Sequence, residues 1–144
     1  MLIGEYSDVL DAKKRLALPA KFRKEIGSTV VVTQGLDKCL FVYTMSEWEK
    51  IASKLAALPM GAADTRSFNR HFLAGAVETE VDAIGRILIP DYLKDFANLG
   101  TKIAVIGVYT RIELWDETVW AENKARVSGE VDKLAEKLGE LGVL

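Results

Sequence analysis

An α+β fold made of two tandem copies of one strand-rich unit is what this sequence specifies. First, the chain repeats itself. Asp11-Ala12-Lys13-Lys14-Arg15-Leu16-Ala17-Leu18-Pro19 returns 71 residues later as Asp82-Ala83-Ile84-Gly85-Arg86-Ile87-Leu88-Ile89-Pro90, with Asp, Ala, Arg and Pro identical. Second, each copy combines short candidate strands and a β-branched run with a brief helix after a tight turn. Third, 144 residues of which 49% are hydrophobic suffice for one compact core.

The repeat extends beyond that motif. After a one-residue slip in the next loop, Gly35 meets Gly107, Leu40 meets Ile112, Val42 meets Leu114, Tyr43 meets Trp115 and Trp48 meets Trp120. Two units follow, over residues 5–50 and 76–122, with a linking helical segment 51–75 and a helical tail 123–144. Tyr6–Leu10 and Val77–Val81 are the opening strands, the second alternating more cleanly through Glu78 and Glu80. The Asp-to-Arg segment is a tight turn, followed by strands Leu16–Leu18 and Ile87–Ile89. Pro19 and Pro90 fall at the first position of a short helix, where the missing N–H costs nothing. Those helices run through Ile26 and Ala97. Thr29–Thr33 and Lys102–Ile106 are β-branched strands, and Gly35 and Gly107 open the loop to the last strand of each unit.

Thr44 with Glu47 three residues on is a capping box for a helix whose apolar face is Met45, Trp48, Ile51, Ala52 and Leu55. Pro59 to Ala63 break it, and Asp64 caps a linking helix through His71 and Leu73. A final helix begins near Asp116 and carries Val127, Val131, Leu134, Leu138 and Leu141 at steps of 4, 3, 4 and 3, a spacing that suits a partner helix. Gly129 and Gly139 each cost it about 0.5–1 kcal/mol relative to Ala.

Nothing in the chain reads as a secretory leader or a membrane span, and the single cysteine, Cys39, sits in an apolar run, so a soluble protein of a reducing, cytoplasmic compartment is expected. His71 is the only histidine and has no cluster of ligands around it, which argues against zinc. No nucleophile elbow, phosphate loop or dinucleotide glycine motif is present. Catalysis, cofactor, metal and small-molecule substrate are therefore not expected. Trp48, Trp115 and Trp120 fall at apolar positions and belong to the core.

Charge carries the functional signal. Lys plus Arg number 19 and Asp plus Glu 21, a net of −2 that argues against coating nucleic acid through bulk charge. Along the chain the balance is uneven: residues 11–25 carry +4, leaving −6 elsewhere, whereas the matching stretch 82–96 carries −1. At its simplest the Asp-x-x-x-Arg motif is an ion pair across a hairpin, worth little when exposed. With six basic residues in fifteen beside it, the first turn fits phosphate contact, and arginine adds a planar fork for guanine O6 and N7. Gly85 suggests a positive φ at the tip of the second turn. Its counterpart Lys14 would pay about 1–2 kcal/mol for that shape, unless the first turn differs.

The motifs Met-x-Ile-Gly-Glu-Tyr, Asp11-Ala12-Lys13-x-Arg15-Leu16-x-x-Pro19-Ala20-Lys21-Phe22-Arg23, Gly35-Leu36-Asp37-x-Cys39-Leu40-Phe41-Val42-Tyr43, Glu47-Trp48 and Asp82-x-x-Gly85-Arg86-Ile87-Leu88-Ile89-Pro90 resemble the MraZ family over about residues 1–125. That resemblance implies tandem AbrB/SpoVT-like swapped-hairpin modules, pairing within the chain as a pseudo-dimer with flanking helices. It also implies a nucleoid-associated bacterial transcriptional regulator that assembles as a homo-oligomeric ring. Such a protein would bind short G-rich direct repeats upstream of the division and cell-wall gene cluster, its own gene included. Carried over residue by residue, the signature falls on Asp11 with Arg15 and on Asp82 with Arg86. The family usually has glycine where Lys14 stands.

The resulting expectation is a double-stranded-DNA-binding repressor with no chemical step. Arg15 reads a guanine edge, Lys13, Lys14, Lys21 and Arg23 hold phosphates, Asp11 and Asp82 orient the turns, and Arg86 is auxiliary. The rival is an oligomeric interaction scaffold whose basic turn is only a solvated face.

Overall fold

Eight strands and six helices follow one another in the computed structural model, which describes residues 1–144. The first copy contains β1 (Leu2–Val9), β2 (Arg15–Ala17), α1 (Ala20–Ile26), β3 (Thr29–Gln34), β4 (Leu40–Thr44) and α2 (Met45–Ala56). After the linking helix α3 (Ala63–Phe72) come β5 (Val77–Glu80), β6 (Arg86–Leu88), α4 (Asp91–Phe96), β7 (Lys102–Tyr109), β8 (Ile112–Asp116) and α5 (Glu117–Ser128). The chain ends with α6 (Val131–Glu140).

The strands exchange between copies. Six of them form one antiparallel sheet in the order β1-β7-β8-β4-β3-β5, and β2 pairs with β6 in a separate ribbon. The opening strand of each copy therefore lies against the third strand of the other, Tyr6 opposite Val105 and Val77 opposite Val32. Leu16 faces its own counterpart Ile87, and Phe41 faces its counterpart Glu113, so a pseudo-two-fold axis passes through both pairs. This is the α+β pseudo-dimer of swapped modules expected above.

Strand alternation builds three layers, because successive side chains point to opposite faces of a sheet. On one face Val30, Val32, Leu40, Val42, Ile103 and Ile112 meet Leu16, Leu18, Phe22, Ile87 and Leu93 from the β2–β6 ribbon, α1 and α4. On the other, Phe41, Tyr43, Ala104, Ile106 and Trp115 meet Phe72 and the partly buried Trp48, Leu55 and Trp120. The first cluster holds 19 buried residues and the second 7, so the principal core lies under the two turns. At about 1.5–3 kcal/mol per fully buried large side chain, that layer supplies most of the apolar driving force.

Several local expectations shift. Pro19 and Pro90 stand one residue before α1 and α4, with ψ of 137° and 153°, because each is still extended where the helix begins. Thr44 Oγ1 accepts the Glu47 N–H at 3.1 Å, and Asp116 caps α5 equivalently from Val119. Asp64 does not cap α3; it lies inside the first turn, with Ala62 at the cap, where its charge still suits the helix dipole. The long final helix is two, broken at Gly129-Glu130 where glycine weakens the helix and Glu130 leaves it at φ −119°. Pairing also equates Gln34, not Gly35, with Gly107, since Leu40 pairs with Gln34 and Ile112 with Gly107. The copies thus differ by two length changes, in the helix-to-strand connection and in the following hairpin. Compensation between the two is why the sequence displays a single slip. No helix is long and apolar enough to cross a membrane.

Candidate nucleic-acid interface

Both Asp-x-x-x-Arg turns adopt one backbone shape. Asp11 Oδ1 accepts the amides of Lys13 and Arg15 at 2.8 and 3.0 Å, and Asp82 Oδ1 accepts those of Ile84 and Arg86 at 3.1 and 2.8 Å. The Lys14 N–H donates to Asp11 O and the Gly85 N–H to Asp82 O, each at 2.9 Å. Lys14 takes φ +62° and Gly85 φ +84°, so the first turn keeps the glycine geometry with a lysine in it. The aspartate scaffold and the ribbon contacts (Ile89 N–H to Lys14 O, Leu18 N–H to Gly85 O, both 2.9 Å) offset the cost of left-handed lysine.

The side chains then diverge. Arg86 donates through Nε to Asp82 Oδ2 at 2.8 Å, and its Nη1 lies 3.8 Å from Asp11 Oδ2. Arg15, half-buried, has no carboxylate within ion-pair range. Asp11 thus bonds Arg15 through the backbone amide alone, and its outer oxygen faces the other copy's arginine. Lys14 Nζ pairs with Asp91 at the start of α4. Lys13 and Lys21 are exposed, with no acidic partner.

Strand exchange redistributes the remaining cations. Arg23, on α1 of the first copy, lies over the second turn: its Nε donates to Leu18 O at 2.8 Å and its guanidinium fills the space a Cβ on Gly85 would need. The first turn is flanked instead by α4 of the second copy, whose Lys94 joins Asp11, Lys14 and Thr101 around a cleft of about 420 Å³. Lys94 was not among the expected contacts, although its alignment with Arg23 in the repeat is the signal that could have found it. Arg15, Lys13, Lys14, Lys94, Arg86, Lys21 and Arg23 thus share the layer built by the ribbon, α1 and α4. Cations clustered on one face raise the local positive potential, which suits contact with a polyanion. Burial pushes the Cys39 thiol well above its ordinary range, and no group of three His, Cys, Asp or Glu side chains converges as a metal site would require.

Hydrogen bonds lower the carboxylate pKa values on this face. The Arg15 amide holds Asp11 below 3.8, the Arg86 amide and guanidinium hold Asp82 below it, and the Lys14 ammonium does so for Asp91. Because each folded value is depressed, the associated stability is complete above the unfolded value and disappears as pH falls through the folded one. The Asp11→Asn/Asp82→Asn double variant should therefore show its full Tm deficit against the parent above about pH 5 and lose it progressively as the pH falls below the ordinary aspartate value of about 3.9. A deficit constant over that range would overturn the assignment.

Comparison with known proteins agrees with this architecture. The family model "MraZ protein, putative antitoxin-like" matches residues 1–71 and again residues 72–138. A protein of Caldicellulosiruptor saccharolyticus named transcriptional regulator MraZ is 50% identical over 143 residues, covering 99% of this chain and 100% of that protein. One of the same name from Thermoanaerobacter pseudethanolicus is 48% identical over the same shares. With two matches side by side and full-length relatives at this identity, the chain belongs to the MraZ family.

Proposed function

We propose that the chain is a transcriptional repressor that binds G-rich direct repeats in double-stranded DNA through the β2–β6 face. The observation that carries this reading is the asymmetry of the two arginines: Arg86 is held by Asp82 and Asp11, whereas Arg15 presents an unpaired guanidinium among lysines. An unpaired guanidinium can form the two parallel bonds that guanine offers in the major groove. Lys13, Lys21 and Lys94, with the outer nitrogens of Arg23, position phosphates, and Lys14 joins them once it leaves Asp91. Asp11 and Asp82 set the turn geometry. Relatives at 50 and 48% identity carry the name transcriptional regulator, which fits this reading.

A single subunit offers few contacts, so specific occupancy rests on a ring of copies touching successive repeats at high effective concentration. Repression is by occlusion of the promoter upstream of the division and cell-wall genes and of the protein's own gene, placing the protein in the cytoplasm at the nucleoid. Fluorescence-anisotropy titration of the intact protein against such repeats and a scrambled duplex, from 50 to 300 mM salt, tests it. About four phosphate contacts per subunit predict a log–log slope of roughly −3 to −4 per bound subunit, with preference for the repeats. Equal affinity for both duplexes would remove guanine readout. A flat salt response with intact assembly would favour the scaffold reading instead.

A further inference from the structure

The outward face of the β2–β6 ribbon is built from four residues. Leu16 and Ile87 are fully buried beneath it, so alternation turns Arg15 and Ala17 of β2, and Arg86 and Leu88 of β6, to the other side. Register sets their neighbours: Arg15 pairs with Leu88, and Ala17 with Arg86. Directly opposed residues of this kind hold their Cβ atoms about 4.5–5.5 Å apart. Leu88 is therefore the neighbour of Arg15, the arginine without a carboxylate partner, and stands two residues along β6 from Arg86. The bond from the Ile89 N–H to Lys14 O, at 2.9 Å, fixes that end of β6 against the first turn.

Folding does not account for a leucine at this place. Leu88 is 42% exposed and belongs to neither apolar cluster. Ala17, 71 residues earlier, occupies the equivalent place beside Arg86, so the same backbone accepts a single methyl group there. Leaving the larger side chain in water forfeits the gain that burial gives apolar carbon. What distinguishes the two places is the arginine opposite. Ala17 faces the one held by Asp82 and Asp11, and Leu88 faces the one that is free.

A two-stranded ribbon fits the major groove, where thymine alone presents a methyl group, a partner for apolar side chains. Successive bases of one strand are about 3.4 Å apart along the axis, so a side chain beside Arg15 meets the base pair next to the guanine that Arg15 binds. An apolar protein surface on the same patch would bury the Arg15 guanidinium without a partner, at a cost that a base edge and its phosphates avoid. We infer that Leu88 packs on the methyl group of a thymine adjacent to that guanine. The ribbon then recognises two neighbouring bases, with Arg15 and Leu88 as the reading pair. This inference rests on the DNA reading proposed above and adds a specificity-determining residue to it.

Anisotropy titration of the intact protein tests it on repeat duplexes in which each thymine in turn is replaced by deoxyuridine. That base keeps the pairing and the O4 acceptor of thymine and lacks only the methyl group. One replacement should weaken binding by about fourfold per altered repeat, the value for burying one such carbon. Leu88→Ala should bind the unmodified repeat more weakly and respond to none of the replacements. Replacing guanine by 7-deazaguanine, which lacks the N7 acceptor, should weaken binding by the parent and by Leu88→Ala alike. Light scattering should give Leu88→Ala the mass of the parent. No deoxyuridine effect on the parent, or an equal effect on Leu88→Ala, overturns the thymine contact, and a deazaguanine loss then leaves guanine readout standing. A parent that responds to neither base overturns both readings. A lower mass for Leu88→Ala makes Leu88 a contact between copies and overturns the inference.

Discussion

Replacing Arg15 with alanine should weaken binding to the G-rich repeats by about 5- to 150-fold, or 1–3 kcal/mol, the range for one bidentate guanine contact. Binding to a scrambled duplex should change by much less, because there the side chain contributes only charge. Lys13→Ala offers the contrast: it should lower both affinities alike and reduce the salt slope by about one. Arg86→Ala should cost less at the repeats than Arg15→Ala, since the Arg86 guanidinium is already held by Asp82 and Asp11. Equal losses for the two arginines would show that DNA pulls Arg86 away from its carboxylates. Unchanged repeat binding by Arg15→Ala would end the guanine assignment.

Leu16→Ala and Ile87→Ala should each destabilise the fold by about 2–5 kcal/mol, lowering Tm by roughly 6–15 °C for a chain of this size. Both side chains are fully buried, and they face each other across the pseudo-axis where β2 meets β6. The double variant should lose less than the two separate costs together, because the residues share one cavity. Urea titration of both single variants and the double variant measures the coupling. A single-variant loss below 1 kcal/mol would mean that the ribbon is not packed onto the sheet in solution. Since β2 carries Arg15, the double variant should also blur DNA discrimination at temperatures where the rest of the sheet persists.

Much of the fold was legible because it is local. The Thr44–Glu47 cap, the Asp-x-x-x-Arg turns and the β-branched runs of β3 and β7 each declare themselves within a few residues. The left-handed tip was legible from Gly85 and only raised as a question by Lys14, because a lysine carries no mark of positive φ; hydrogen bonds to Asp11 decide it. The break at Gly129 was read as a cost inside one helix and proved to be a terminus. Apolar spacing continued across the gap, and periodicity alone does not register a two-residue interruption. The second length change between the copies was hidden because it compensated the first.

The partner of each group lay beyond local reading. Asp11 precedes Arg15 by four residues, yet its outer oxygen faces Arg86; Arg23 follows the first turn and lies over the second; Lys94 reaches the first turn from the other copy. All three follow from strand exchange. Two copies with one apolar pattern could satisfy it by pairing within themselves or with each other, since the same side chains are buried either way. By itself, then, the sequence determined the repeat, the element types, the turn chemistry and the concentration of positive charge in residues 11–25, all set by interactions a few residues long. Only the tertiary structure decided which arginine is free and which helix flanks which turn. Those depend on contacts between residues dozens of positions apart, and an unbroken local pattern does not encode which of two equivalent partners is chosen.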